Sequence, residues 1–444
     1  MAEQATQILK KIRCPHCWEE FQAEDTLYIS QHPELLGDPR LGPNAAMRFL
    51  PQRFRLDGAA IDPKEFPSTL LACPHCHLPI PRPLFEMPTV FFSMVGAPGS
   101  GKSYFLAAMT WKLRQILPQL FHVSFTDADP LVNQQLQNYE SLQFLNADPN
   151  AVVKLGKTEL AGDPYDAVLY GTQTVWYLKP YLFTLTPDRF HPFASRASMI
   201  SRTLCLYDNA GEHFQPGTDG GATPVTRHLA LAKVIFFLFD PTQDIRFRQE
   251  LDRMGQNQER TDQPSLDDNV RQDTLFVEAV KRLRQYAGLG QHERLSAKVI
   301  VVVTKYDVWA PLCPALKKIP SQVWRYVPIL GTETRLKKLE KLAADGNVPG
   351  NAVVRSNLIR SISSEVKTML RRLSPEFLTA IQATAENVVF LPVSATGCSM
   401  TTDSTGKQGF RPADLKPQWA EVPMLYAMAT QLDGFLSRTR ERSE

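Results

Sequence analysis

The run Gly96-Ala97-Pro98-Gly99-Ser100-Gly101-Lys102-Ser103 constrains this chain more than any other feature. It fits G-x-x-x-x-G-K-[ST] completely, and its flanks are those the motif needs. An apolar strand pattern covers Thr89–Val95, and helical spacing covers Ser103–Leu117, where Pro118 is expected to end the helix. Gly96, Gly99 and Gly101 let successive backbone N–H groups converge on a phosphate, and the helix N-terminus adds the positive end of its dipole. Lys102 is expected to reach the outer phosphates and Ser103 to ligate magnesium, with Ser100 and Tyr104 beside them in the same cradle.

Further strands are readable at Tyr181–Thr186, Thr203–Tyr207, Val234–Phe239, Lys298–Val303 and Asn387–Val393, with helical stretches between several of them. A run such as Val299-Ile300-Val301-Val302-Val303 suits a strand covered on both faces. The fold class expected is therefore α/β, a mostly parallel sheet covered by helices. Long insertions interrupt it at about 120–174, 241–272 and 310–385. The last has twelve Lys or Arg against five acids, while the second has seven acids against five bases.

Over 444 residues the formal charge is only +3, which excludes a chain that is basic throughout; any basic surface must be local. No apolar run approaches the roughly 18 residues of a membrane span, and the N-terminus lacks the apolar core of a secretory leader. A cytoplasmic protein without a membrane partner is expected.

Three later elements bear on a nucleotide. Asp208-Asn209-Ala210-Gly211-Glu212 follows one strand, where an Asp can hold a magnesium shell and a Gly N–H can sense the γ-phosphate. Thr304-Lys305-Tyr306-Asp307 follows another. There the Asp307 carboxylate can accept from guanine N1 and the exocyclic amine, and the Lys305 stem can cover the base. Ser394-Ala395-Thr396 follows the last strand, with a backbone N–H for guanine O6.

In order and context these motifs resemble the TRAFAC-class, Ras-like GTPases over about residues 89–438, with a terminal helix from Gln418 to Ser437 completing the fold. The resemblance implies a GTP-hydrolysing switch that binds GTP or GDP with magnesium. Lys102, Asp208, Gly211 and Glu212 would act on the γ-phosphate and water.

The sequence departs from the family at several points. The stretch between Ser103 and Asp208 is long, leaving Thr172 and Thr174 as candidates for the magnesium-binding switch threonine. Glu212 stands where many relatives have Gln, which predicts slow turnover without help. Thr304 replaces the commoner Asn, and Arg189, Arg196, Arg202 and Arg227 are candidate arginine fingers. The long switch region and the Asp-Asn-Ala-Gly-Glu element look like the double-GTPase group of bacterial conflict and defence systems. That implies a partner encoded nearby, such as a second GTPase. A scaffold that holds GTP without hydrolysis is the competing reading. A third is a zinc-ribbon GTPase acting on nucleic acid or the ribosome, for which the basic 310–385 segment is the only support.

Four of the seven cysteines form two identical tetrapeptides, Cys14-Pro15-His16-Cys17 and Cys73-Pro74-His75-Cys76, separated by 55 residues. Two C-x-x-C turns offer four thiolates to a tetrahedral zinc, so residues 1–80 are expected to form a zinc-ribbon module with an insertion across roughly 30–70. His16, His75 and His77 are secondary ligand candidates. Residues 81–88, with Pro81, Pro83 and Pro88, are expected to be an extended linker to a GTPase domain at 89–444. Loss of the metal is accordingly expected to spare the nucleotide fold.

Overall fold

The computed structural model describes residues 8–156, 164–209, 211–214, 226–255, 271–290, 292–327, 351–386 and 388–439. Its main sheet contains β1 (Thr89–Gly96), β2 (Val123–Asp127), β3 (Tyr181–Pro187), β4 (Arg202–Asp208), β5 (Val234–Phe239), β6 (Lys298–Val303) and β7 (Val389–Pro392). The order is β2-β3-β4-β1-β5-β6-β7. Strands β4, β1, β5, β6 and β7 run parallel, whereas β3 is antiparallel to β4 and to the edge strand β2. The fold is thus mixed α/β with a large, mostly parallel sheet.

Successive residues of the inner strands are fully buried, including Phe236, Phe237, Leu238 and the whole of Val299–Val303. Only a sheet covered on both faces buries consecutive side chains in this way. Among the covering helices are α1 (Lys102–Phe121), α2 (Gln134–Phe144), α3 (Gln272–Ala287), α4 (Ser356–Leu373), α5 (Pro375–Thr384) and α6 (Val422–Gln431). Because β4 and β5 flank β1 on opposite sides, the connections diverge at its C-terminal end, the place where open α/β sheets form a crevice.

Three local expectations are corrected. Pro118 lies inside α1 instead of ending it: the ring removes one backbone donor, but buried Leu117 and Phe121 hold the last turn, which closes at left-handed His122 (φ 56°). The terminal helix is shorter than Gln418–Ser437, because Gln418 pairs with Ser394 in a β-bridge and Trp419 takes φ 56° before α6 begins. The stretch expected to be extended before β1 carries a helical turn at Pro83–Glu86, with Leu84 and Phe85 buried. Strand β7 is described from Val389, and Asn387 lies outside the described residues.

Each cysteine tetrapeptide caps a small hairpin. Lys11–Arg13 pairs with Glu20–Gln22 around the first, and Leu71–Ala72 pairs with Pro79–Ile80 around the second. The expected insertion supplies two further hairpins, Leu36–Asp38 with Gly42–Ala46 and Ala60–Ile61 with Pro67–Ser68. This module does not stand apart. Ile12, Trp18, Phe21, Leu78 and Leu84 share one buried cluster with Phe91, Leu182, Cys205 and Tyr207 of the main sheet. The expectation that metal loss would spare the nucleotide fold therefore does not follow, because the two share a core.

Candidate functional site

The loop after β1 turns sharply into α1. Gly99 and Gly101 take φ 72° and 87°, left-handed conformations that other residues adopt only at a cost, and Gly101 caps the helix. Lys102 is 7% exposed, and its ammonium donates to Gly96 O at 2.9 Å and Ala97 O at 3.1 Å, folded across the loop that it closes. The Ser100 hydroxyl is fully buried and has no hydrogen-bond partner among the described residues. A buried hydroxyl of this kind, left-handed glycines and a helix N-terminus form a donor set that suits a polyphosphate. Gly96, Ser103 and Tyr104 belong to the same loop–helix junction.

Asp208 closes β4 beside β1, in register with Met94, and is 5% exposed. Gly211 starts a short 3-10 turn, Gly211–Phe214, and rests against the phosphate loop. A Cβ at Gly211 would lie 2.5 Å from Gly96 O and 2.6 Å from Pro98 N, so only glycine fits there. Glu212 is in that turn, but its side chain lies outside what is described. Ser103 and Asp208 are residues of this edge that could hold a cation.

Thr172 and Thr174 are not brought to this site. Thr172 is in the turn and Thr174 in the second strand of the hairpin Tyr165–Tyr170 with Gln173–Leu178, and both are exposed. Alternation along that hairpin turns Val168 and Tyr177 onto the cysteine module, on the face opposite Thr174. The arginines are also displaced. Arg202 begins β4 at the opposite end of the sheet and bonds Met199 O and Ser201 O. Arg189 lies over Phe190, Arg196 belongs to the Ala194–Arg196 turn preceding β4, and Arg227 pairs with Glu19 at 2.9 Å.

At the other side of the crevice, Lys305 (φ 55°) follows β6, and its ammonium meets Asp240 at 2.8 Å and Thr242 Oγ1 at 3.0 Å. Thr304 bonds the end of β5 through Phe239 O at 3.3 Å. Burial pushes the Asp307 carboxyl above its ordinary value, while the Ser394 hydroxyl, which donates to it, acts in the opposite direction. Ser394 also accepts from Gly397 N at 2.8 Å, and Lys416 N bonds Thr396 O at 2.7 Å, so Ser394, Ala395 and Thr396 form a fixed loop beside Asp307.

Sequence reasoning missed the links between these corners. Gln243 donates to Pro98 O at 2.9 Å, and Gln272 bonds both backbone groups of Asp240 at 2.8 Å. The loop after β5 thereby ties the phosphate loop to the Lys305 corner. A buried Asp at a strand end, followed by Pro-Thr-Gln, was the available signal.

The four cysteine sulfurs all lie within 4.8 Å of one another and are buried. His16 N and His75 N point at the Cys14 and Cys73 sulfurs at 3.3 and 3.4 Å, and the residues after each knuckle, Trp18 and His77, both take left-handed φ. This near-twofold pair of turns is the donor arrangement that a tetrahedral metal requires. Burial holds the Cys14 and Cys76 thiols well above their ordinary range, so four thiolates coexist here only with a cation among them. The histidines are engaged elsewhere: His16 with Pro79 O, His75 with Glu20 O and His77 with Asp38. Cysteines 14, 17, 73 and 76 therefore form a site that could hold a metal.

No protein-family model matches the chain. It is 27% identical over 182 residues to SaeC of Mycolicibacterium smegmatis, a protein named for ESX-1 scaffolding and assembly; the match covers 40% of each chain. The matched part thus spans about two fifths of that relative's length. Among solved structures, the signal recognition particle receptor SRb-GTP/SRX complex from Chaetomium thermophilum aligns at 13% identity and TM-score 0.24. That alignment covers 70% of this chain and 93% of the other. Era of Aquifex aeolicus with GDP and aluminium fluoride aligns at 14% identity and TM-score 0.16, covering 69% and 93%. Scores this low identify no fold, which rests instead on this chain's own strand order. No helix among the described residues is long and apolar enough to cross a membrane.

Two outcomes follow. Lys102→Ala should lower nucleotide affinity at least about 100-fold while leaving the circular dichroism spectrum unchanged, because it removes the cation that the loop holds where a phosphate would sit. Parental affinity in that variant would refute the phosphate-loop assignment. Protein purified under reducing conditions without chelator should contain about one zinc per chain, falling to near zero in Cys14→Ser with Cys73→Ser. Elemental analysis without metal in the parent would refute the site.

Proposed function

We propose that the chain is a GTP-binding switch protein that hydrolyses GTP slowly by itself and works within a protein assembly. One observation carries this reading: Gly96–Ser103, Asp208 with Asn209, Thr304–Asp307 and Ser394–Thr396 leave the C-terminal ends of β1, β4, β6 and β7 on one edge of a single sheet. Asp307 gives the site its preference for guanine. A half-buried carboxylate facing adenine would keep unmet acceptors, which costs about 1–3 kcal/mol.

Lys102 binds and orients phosphate oxygens, and Gly211 offers its N–H beside the phosphate loop. Ser103 and Asp208 would hold magnesium, which would neutralise phosphate charge, and Glu212 would act on the attacking water. A carboxylate at this sequence position, where many related proteins carry Gln, keeps intrinsic turnover slow, so a cationic group from a partner would accelerate it. The cysteine module holds zinc as a closed, structural site.

The resemblance to double-GTPase proteins suggests a partner encoded nearby. SaeC, by its name, supports scaffolding and assembly, and nothing in it supports a defence setting. The same relative favours a second reading, in which GTP is held with little hydrolysis and the bound state itself supports the assembly. A nucleic-acid role has little support, because much of the basic segment, residues 328–350, lies outside the described residues.

Calorimetric titration in magnesium should give GTP affinity about 10- to 100-fold above ATP affinity; equal affinities would overturn the guanine reading. Glu212→Gln should keep or raise basal GTP turnover and Glu212→Ala should lower it. If the parent releases no phosphate from bound GTP, the scaffold reading replaces the switch; if it turns over and both variants match it, Glu212 leaves the mechanism.

A further inference from the structure

Tyr207 is the residue before Asp208, and its phenol belongs to the cysteine module as much as to β4. Trp18 Nε1, which can only donate, bonds the Tyr207 oxygen at 3.0 Å. Tyr207 in turn donates to Pro15 O, inside the first cysteine turn, at 2.5 Å. Burial holds the phenol protonated, as this donation requires. Its ring stacks on His228 with centroids 4.2 Å apart and planes 11° apart. Trp18, Tyr207 and His228 are each no more than 1% exposed.

From His228 the chain of contacts returns to the nucleotide loop. Asn209 faces the Met94 carbonyl at 3.2 Å, so the atom there is its amide nitrogen and its oxygen is left facing His228 Nε2, at 3.1 Å. Nε2 must therefore carry the proton, and Nδ1 accepts from Ser93 at 2.8 Å. Arg227 and Glu19 add an ion pair alongside. Asn209 precedes Gly211 by two residues, and Gly211 rests on the phosphate loop with no room for a side chain.

We propose that Tyr207 and His228 are positioning residues through which the first cysteine turn fixes Asp208, Asn209 and Gly211 against the phosphate loop. The inference rests on the GTPase reading. It makes the metal module part of the apparatus that distinguishes a triphosphate from a diphosphate. By thermodynamic reciprocity, the bound nucleotide then alters how firmly the module holds its metal.

The test uses the zinc-loaded full chain and Tyr207→Phe, which keeps the stacked ring and removes both hydrogen bonds to the module. Affinity for GDP should stay within about twofold of the parent, while affinity for a non-hydrolysable GTP analogue falls roughly tenfold. Zinc release to a colorimetric chelator should differ between the analogue and GDP in the parent, and lose that difference in the variant. Trp18→Phe, which removes one of the two bonds, should shift the same ratio in the same direction and serves if Tyr207→Phe does not fold. Equal loss for both nucleotides would mean a purely structural role, and an unchanged ratio would likewise overturn the inference. A parent that binds both nucleotides with an unmoved variant refutes this inference alone. A parent that binds neither refutes the nucleotide reading as well.

Discussion

Strand β1 lies between β4 and β5 with Phe92 and Met94 fully buried, and its backbone is paired to a parallel neighbour on each side. Its chain can leave that setting only at the C-terminal end, where the connections to the two neighbours diverge. The phosphate loop occupies that exit, and the ends of β4, β6 and β7 deliver their loops to the same edge. If β1 were exposed on one face, or placed at the sheet margin, the same motifs would not converge. Burial of one strand thus brings four short sequence patterns to one edge of the sheet.

The second constraint is electrostatic. Four cysteine sulfurs buried within 4.8 Å of one another cannot all ionise unless a cation stands between them. For structural zinc sites of this kind the binding free energy is about 10 kcal/mol or more, and it is folding free energy. With zinc in the proposed site, that energy would not stay in the module, because Trp18 and Tyr207 place the first turn in the core beneath β4. The cysteine module and the main sheet share one buried core, and the proposed metal and nucleotide sites communicate through it, because a close-packed interior has few voids to absorb displacements.

Much of this was legible in the sequence. The phosphate loop, the apolar inner strands and the paired Cys-Pro-His-Cys turns each have a local chemical reason, and local reasons survive the absence of tertiary information. Strands β5 and β6 fall where the apolar runs placed them, and helix α1 runs past Pro118 because burial of Leu117 and Phe121 outweighs one lost backbone bond. What could not be read was long-range: that Thr172 and Thr174 sit on a hairpin turned toward the cysteine module, that Gln243 braces Pro98, and that Trp18 meets Tyr207 across 189 residues. An aromatic residue after a C-x-x-C turn looks the same in sequence whether it packs locally or on a distant strand.

The central claim is that the four loops form one guanine-nucleotide site. Amide hydrogen exchange on the zinc-loaded chain, with and without GDP and magnesium, addresses it directly. The account predicts slowed exchange at Gly96–Tyr104, Thr304–Asp307 and Ser394–Thr396 together, at the same GDP concentration dependence, with no slowing at the latter two from ADP. Protection confined to the phosphate loop, or equal protection by ADP at all three, would contradict it.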